Sequence, residues 1–118
     1  MCEKILILSD DDAFSILLQS ALIRENFHAL VTDRYYLSDS IRSNDPELLV
    51  LYCASISDRR ISITELVQTC KNHQLPFILI SDDDKLESYA IAYDAIAYIA
   101  MPLIIDDFIN TVKDVLSL

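Results

Sequence analysis

Apolar residues fall into five short runs, separated by longer stretches where they recur every three or four positions. Ile5-Leu6-Ile7-Leu8, Leu48-Leu49-Val50-Leu51 and Phe77-Ile78-Leu79-Ile80 are unbroken runs, the pattern of parallel strands buried on both faces. Ala29-Leu30-Val31 and Ile96-Ala97-Tyr98-Ile99 complete a predicted set of five strands. The stretches between them carry a helical period. Phe14, Leu17, Leu18, Ala21 and Leu22 predict one face of a first helix, and Leu37 with Ile41 a shorter second. Ile63, Leu66, Val67 and Cys70 predict a third, and Leu86, Ala90 and Tyr93 a fourth. Ile105, Phe108, Ile109, Val112, Val115 and Leu116 predict the last.

Turn and cap residues agree with this order. Pro46 and Pro76 stand just ahead of strands, and Pro102 separates the last strand from the last helix. Asp84 with Glu87 has the spacing of a capping box, and Asp106-Asp107 suit the positive end of the last helix. Asn26 is the expected left-handed residue closing the first helix. Five strand-then-helix repeats predict an α/β fold, a doubly wound parallel sheet with helices on both faces. No linker, internal repeat or second domain interrupts residues 1–118, and a chain of this mass buries roughly two-thirds of its unfolded surface.

Composition narrows the function. The chain has no glycine, where average usage would give roughly eight. A phosphate-cradling P-loop or a dinucleotide fingerprint needs glycine for close backbone approach, so both are excluded. Nineteen acidic against nine basic residues give a net charge of −10. That balance speaks against direct nucleic-acid binding and against an anionic membrane surface. The opening apolar run, Ile5 to Leu8, is too short for a signal peptide, and no run is long enough to span a membrane. Cys2, Cys53 and Cys70 are odd in number and lack metal-ligand spacing, which suits reduced thiols in the cytoplasm.

In a doubly wound sheet, ligands bind beyond the carboxyl ends of the strands. The residues there are Ser9-Asp10-Asp11-Asp12, Tyr52-Cys53, Ser81-Asp82-Asp83-Asp84 and Ala100-Met101-Pro102. At these positions the chain resembles the receiver domains of two-component response regulators, from Lys4 to about Ser117. Ile5 to Asp11 resembles the family's first strand and its acidic pair, with Leu18 and Leu22 at the leucines of the following helix. Pro46-Glu47-Leu48-Leu49-Val50-Leu51 resembles the approach to the phosphoacceptor. Pro76 to Ser81 resembles the strand ending in the switch hydroxyl, and Asp94 to Pro102 the segment with the switch aromatic and the lysine–proline pair.

The resemblance implies strand order 2-1-3-4-5, the flavodoxin-like arrangement, and a cis bond between Met101 and Pro102. It also implies self-transfer of a phosphoryl group to an aspartate, helped by Mg²⁺ and a lysine. Three positions depart from that chemistry. Tyr52 stands at the acceptor aspartate, Met101 at the lysine and Ser9 at the first carboxylate; only Asp10 and Ser81 match. A neutral phenol is a poor nucleophile beside a carboxylate, and a lysine facing it would be a buried charge without its partner. The expectation is therefore an atypical receiver with no catalytic residue, in which Tyr52 and Met101 fill the former phosphate pocket. It is no enzyme but a phosphorylation-independent interaction module of signalling, with no output domain within these residues.

Other readings stay open beside this one. Asp10 and Asp11, with Asp12, Asp82 and Asp83, are a candidate weak Mg²⁺ site, although solvated acids at a helix start give the same pattern. Ser81 and Tyr98 match the family's switch pair but have no acyl phosphate to bias them. Tyr89, Tyr93 and Tyr98 are a candidate surface for a protein partner or a homodimer, on the face of helix four, strand five and helix five that the family uses. Cys53, Arg59-Arg60, His28 and His73 read as an inert thiol and solvated side chains. The alternatives are a receiver with weakened Mg²⁺-dependent phosphotransfer onto Asp10 or Asp11, and a small flavodoxin-like ligand carrier.

Overall fold

A computed structural model describes residues 3–56 and 62–117. Its elements run β1 (Lys4–Ser9), α1 (Asp12–Arg24), β2 (His28–Thr32), α2 (Leu37–Asn44), β3 (Leu48–Tyr52), α3 (Ile63–Asn72), β4 (Phe77–Ser81), α4 (Leu86–Ala92), β5 (Ala97–Ala100) and α5 (Ile105–Val115). Among the described residues the strands form one parallel sheet in the order β2-β1-β3-β4-β5. The three unbroken apolar runs are its three central strands, buried on both faces as their composition requires.

Alternation along the strands divides the core in two. Ile5, Ile7, Val50, Ile78 and Ile80 face α1 and α5, packing on Leu18, Leu22, Phe108 and Val112. Leu6, Leu8, Leu49, Leu51 and Leu79 face α2, α3 and α4, packing on Ile41, Leu66, Cys70 and Ala90. A one-residue slip of any central strand would exchange these sets, so the register is well specified.

Every helix ends without glycine. Asn26 (φ 69°), Asp45 (φ 48°), Gln74 (φ 55°), Asp94 (φ 61°) and Ser117 (φ 59°) take the left-handed conformation just after α1, α2, α3, α4 and α5. Asn26 is there as expected; the other four carried no distinctive sequence signal. Asn and Asp tolerate this region through their short polar side chains, whereas Gln74 has no such compensation.

Two local expectations need correction. Leu17 was expected in the core, but it lies roughly 100° round the helix from Leu18 and is 48% exposed, and Ser15 takes the inward place. The capping box of Asp84 and Glu87 does not form. Helix α4 begins at Leu86 with Lys85 as its cap residue, one position too late for that pairing, and Asp83 Oδ1 instead accepts from the Lys85 backbone N–H at 3.0 Å. Tyr89 and Tyr93 are half-buried on α4 and its C-cap. Their rings stack 6.2 Å apart and pack on the core beneath α3, where the Tyr93 hydroxyl lies 3.3 Å from that of Thr64. Arg59, Arg60 and Cys2 lie outside the described residues.

Candidate functional site

The register carries the candidate residues to one end of the sheet. Ser9 pairs with Tyr52, Tyr52 with Ile80, and Ser81 with Ala100, so β1, β3, β4 and β5 end within one residue of a common row. The following loops stack above it, tied by Cys53 N–H to the Ile80 carbonyl and Met101 N–H to the Ser81 carbonyl. The Met101–Pro102 bond is cis.

Tyr52 is the centre of this row and is only 7% exposed. Its ring packs against Phe14 of α1, with centroids 4.4 Å apart and planes tilted by 52°. Its hydroxyl donates to Asp82 Oδ2 at 2.7 Å. Burial, first, and then the hydrogen bond and the charges of Asp82, Asp10 and Asp11 push the phenol far above its usual pKa. The group is therefore a proton-holding donor, not a nucleophile. Met101 packs in the same apolar cluster as Tyr52 and Phe14.

The acids around it are engaged separately. Asp10 Oδ2 accepts from the Ala54 backbone N–H at 3.0 Å. Asp11 caps α1, its Oδ1 accepting from Phe14 N–H at 3.1 Å, while Ser9 Oγ donates to the Asp11 carbonyl and accepts from Asp11 N–H. Asp12 opens α1 and Asp83 closes the turn before α4. Ser81 is buried, its hydroxyl donating to the Ala54 carbonyl at 3.3 Å and accepting from Asp83 N–H at 3.0 Å. Tyr98 is half exposed on β5.

A receiver fold implies Mg²⁺ at this end of the sheet, and these side chains do not fit it. Among the described residues no three of His, Cys, Asp and Glu converge so as to hold a metal ion. Asp10 and Asp11, the candidate pair, are turned to backbone donors, and the phenol of Tyr52 occupies the centre. A hard divalent cation takes six or more oxygens, usually including carboxylates. Tyr52, Met101, Ser9 and Ser81 lie at this end of the sheet, but sequence reasoning missed the partners of Tyr52. Phe14 read as an ordinary core residue and Asp82 as a solvated acid, because neither contact has a sequence spacing.

A cavity of about 380 Å³ adjoins this site, with Ser9, Asp10 and Tyr52 in its wall and Leu51, Ile63 and Leu66 as its apolar floor. Cys53 and Cys70 are buried free thiols, and burial pushes the Cys70 thiol up to about 12. Among the described residues no helix is long and apolar enough to cross a membrane.

No protein-family model matches the chain, and no curated protein matches it in sequence. Solved structures do match. NtrX from Brucella abortus superposes with a TM-score of 0.84 at 24% identity, covering 99% of this chain but 27% of that one. The chain thus spans about a quarter of NtrX. A signal receiver domain of a response regulator from Bermanella marisrubri gives 0.82 at 16% identity, covering 98% of this chain and 99% of that one. A response regulator from Thermotoga maritima gives 0.82 at 14% identity, with each chain fully covered. These likenesses establish the fold: the five-stranded parallel sheet of receiver domains, in the order 2-1-3-4-5.

Proposed function

We propose that this chain is a receiver-like signalling module that works by docking to a protein, without a phosphorylation switch. The observation that carries this reading is the buried Tyr52 phenol, hydrogen-bonded to Asp82 where a receiver would present its acceptor carboxylate. Phosphoryl transfer needs a nucleophilic carboxylate, a divalent cation and a cation against the developing charge. Tyr52 cannot supply the first without losing a proton it holds tightly, and position 101 is a thioether. The ring pair with Phe14 and the hydrogen bond to Asp82 hold the phenol in one place, and Met101 joins the same apolar cluster.

The docking face belongs to α4, β5 and the segment leading to α5. Ile91, Ile96 and Tyr98 are exposed there and border a shallow groove with Ala90 and Asp94, and Ile104 is exposed on the approach to α5. Tyr98 belongs to this face, and the stacked rings of Tyr89 and Tyr93 stand on α4 and its C-cap. With ten more acidic than basic residues, the complement is a protein surface and not nucleic acid or an anionic membrane. Buried free thiols suit the reducing cytoplasm.

Incubation with acetyl phosphate and Mg²⁺, followed by intact-mass measurement, tests the reading. The expected result is an unchanged mass. A labile gain of one phosphoryl group, lost when Asp10 or Asp11 is replaced by asparagine, would establish weakened phosphotransfer instead.

A further inference from the structure

Helix α1 is apolar on two faces. Its inner face holds Leu18, Ala21 and Leu22 in the core. Its outer face exposes Ile16 (62%), Leu17 (48%) and Ile23 (52%), with the small residues Ala13 and Ser20 among them. Ile16 and Ile23 are seven residues apart, two helical turns along one stripe. Single exposed apolar residues are ordinary, but three on one helix face, continuous with a fourth, are not. The fourth is Val31. It pairs with Ile7, whose side chain faces α1, so Val31 extends the stripe onto the edge strand β2, to which Gln19 ties the helix through the Ala29 carbonyl.

The charges of this helix are few and placed in a particular way. In a chain of net charge −10, α1 carries one acid and one base, Asp12 at its first position and Arg24 at its last. Glu25, just beyond, is bound to Lys113 of α5 at 3.2 Å. The chain as a whole is strongly acidic, whereas the α1 stripe is neutral. Antiparallel apposition of two α1 helices sets each Asp12 toward an Arg24, while parallel apposition sets like charge on like. The stripe is complementary to itself in one orientation.

We propose that the outer face of α1 is a self-association surface. Two copies pair their α1 helices antiparallel about a twofold axis near Ser20, so that Ile16 and Ile23 of one meet Ile23 and Ile16 of the other. Ser20, at the crossing point, lets the helices approach closely. The contact is isologous, as closed dimers require, and it leaves the face of α4 and β5 free on both copies. It does not rest on the absence of phosphotransfer. A single helix pair with Val31 at its margin buries less than the roughly 800 Å² per partner of a standard interface, so the dimer is weak and concentration-dependent.

Sedimentation velocity from low-micromolar to submillimolar concentration tests the proposal. The expected result is a rise in mass toward twice 13.4 kDa. Ile16→Glu or Ile23→Glu should weaken the dimer at least tenfold while circular dichroism and melting stay those of the parent. Asp12→Arg and Arg24→Asp should each weaken it, and the double exchange, which keeps the composition of charge, should restore it. A monomer throughout the range overturns the proposal. So does a dimer that survives Ile16→Glu but is broken by Ile91→Glu on α4. Single exchanges that weaken a dimer the double exchange does not rescue overturn the antiparallel pairing.

Discussion

Replacing Tyr52 separates the two ways in which it holds the end of the sheet. Tyr52→Phe removes only the hydroxyl, and Tyr52→Ala the ring as well. The lost hydrogen bond runs to Asp82, a carboxylate exposed to solvent that can take water in place of the phenol. Its loss is therefore worth about 1 kcal/mol, and not the larger penalty of an orphaned buried charge. The ring is different. At 7% exposure and 4.4 Å from Phe14, its removal leaves a hole that the surrounding strands cannot close. Aromatic-to-alanine changes in such sites cost about 3–5 kcal/mol, of which about 0.5–1.5 is the specific ring pair.

Urea unfolding followed by circular dichroism at neutral pH measures both. The expected order is a small loss for Tyr52→Phe and one about three times larger for Tyr52→Ala. At about 4 °C per kcal/mol for a chain of this size, melting points should fall by about 4 and at least 12 °C. The double variant Phe14→Leu with Tyr52→Ala should lose less than the sum of its parts, because the partners touch. Tyr52→Ala at a cost under about 1 kcal/mol would refute the argument, because a ring packed as the structure has it cannot be removed so cheaply. Equal losses for Phe and Ala would place the stabilisation in the hydroxyl alone and refute it as well.

Three further outcomes follow from the same structure. Folding raises the proton affinity of Cys70, from about 9 to about 12, and that of Tyr52. Their contributions are complete below the unfolded pKa values and fall as pH rises, from about 9 for Cys70 and about 10 for Tyr52; Cys70→Ala should flatten the decline in unfolding free energy between roughly pH 9 and 12 by up to one proton's slope, about 1.4 kcal/mol per pH unit. Gln74→Gly should raise stability by about 0.5 kcal/mol, seen as about 2 °C in melting, because relief of the left-handed backbone outweighs the added freedom of the unfolded chain. Tyr52→Asp sets a carboxylate near Asp10 and Asp82 and should melt below Tyr52→Ala, and adding Met101→Lys should recover part of the loss; full additivity of the two would show that positions 52 and 101 do not communicate.

The sheet was legible because strand burial leaves a simple mark. Ile5 to Leu8, Leu48 to Leu51 and Phe77 to Ile80 could not be amphipathic, and their order with the intervening helical periods left a doubly wound parallel sheet, whose strand order only the family resemblance supplied. Helix α1 was harder to read. Its apolar residues occupy both faces, so periodicity placed Leu17 inside with Leu18 when only one of them fits. The left-handed ends of α2, α3, α4 and α5 were hidden for another reason. The usual signal is glycine, and Asp45, Gln74, Asp94 and Ser117 are ordinary solvent-facing residues anywhere else.

The candidate site shows the same division between what a strand end fixes and what a loop decides. Position along β1, β3, β4 and β5 determines that Ser9, Tyr52, Ser81 and Met101 lie together, and register arguments reach that far. Where a polar side chain points after the strand ends depends on which donors the neighbouring turns leave unpaired. Asp10 meets the free N–H of Ala54, Asp11 meets that of Phe14 at the head of α1, and Asp82 is left to face the phenol. Those three acids are each oriented by a different donor, so they do not converge on one point where a cation could gather them. A lysine at position 101 would gain no buried carboxylate opposite it. On the proposed reading, Tyr52 and Met101 belong together, because a lysine at 101 in the apolar cluster of the Tyr52 phenol would be a charge without its partner.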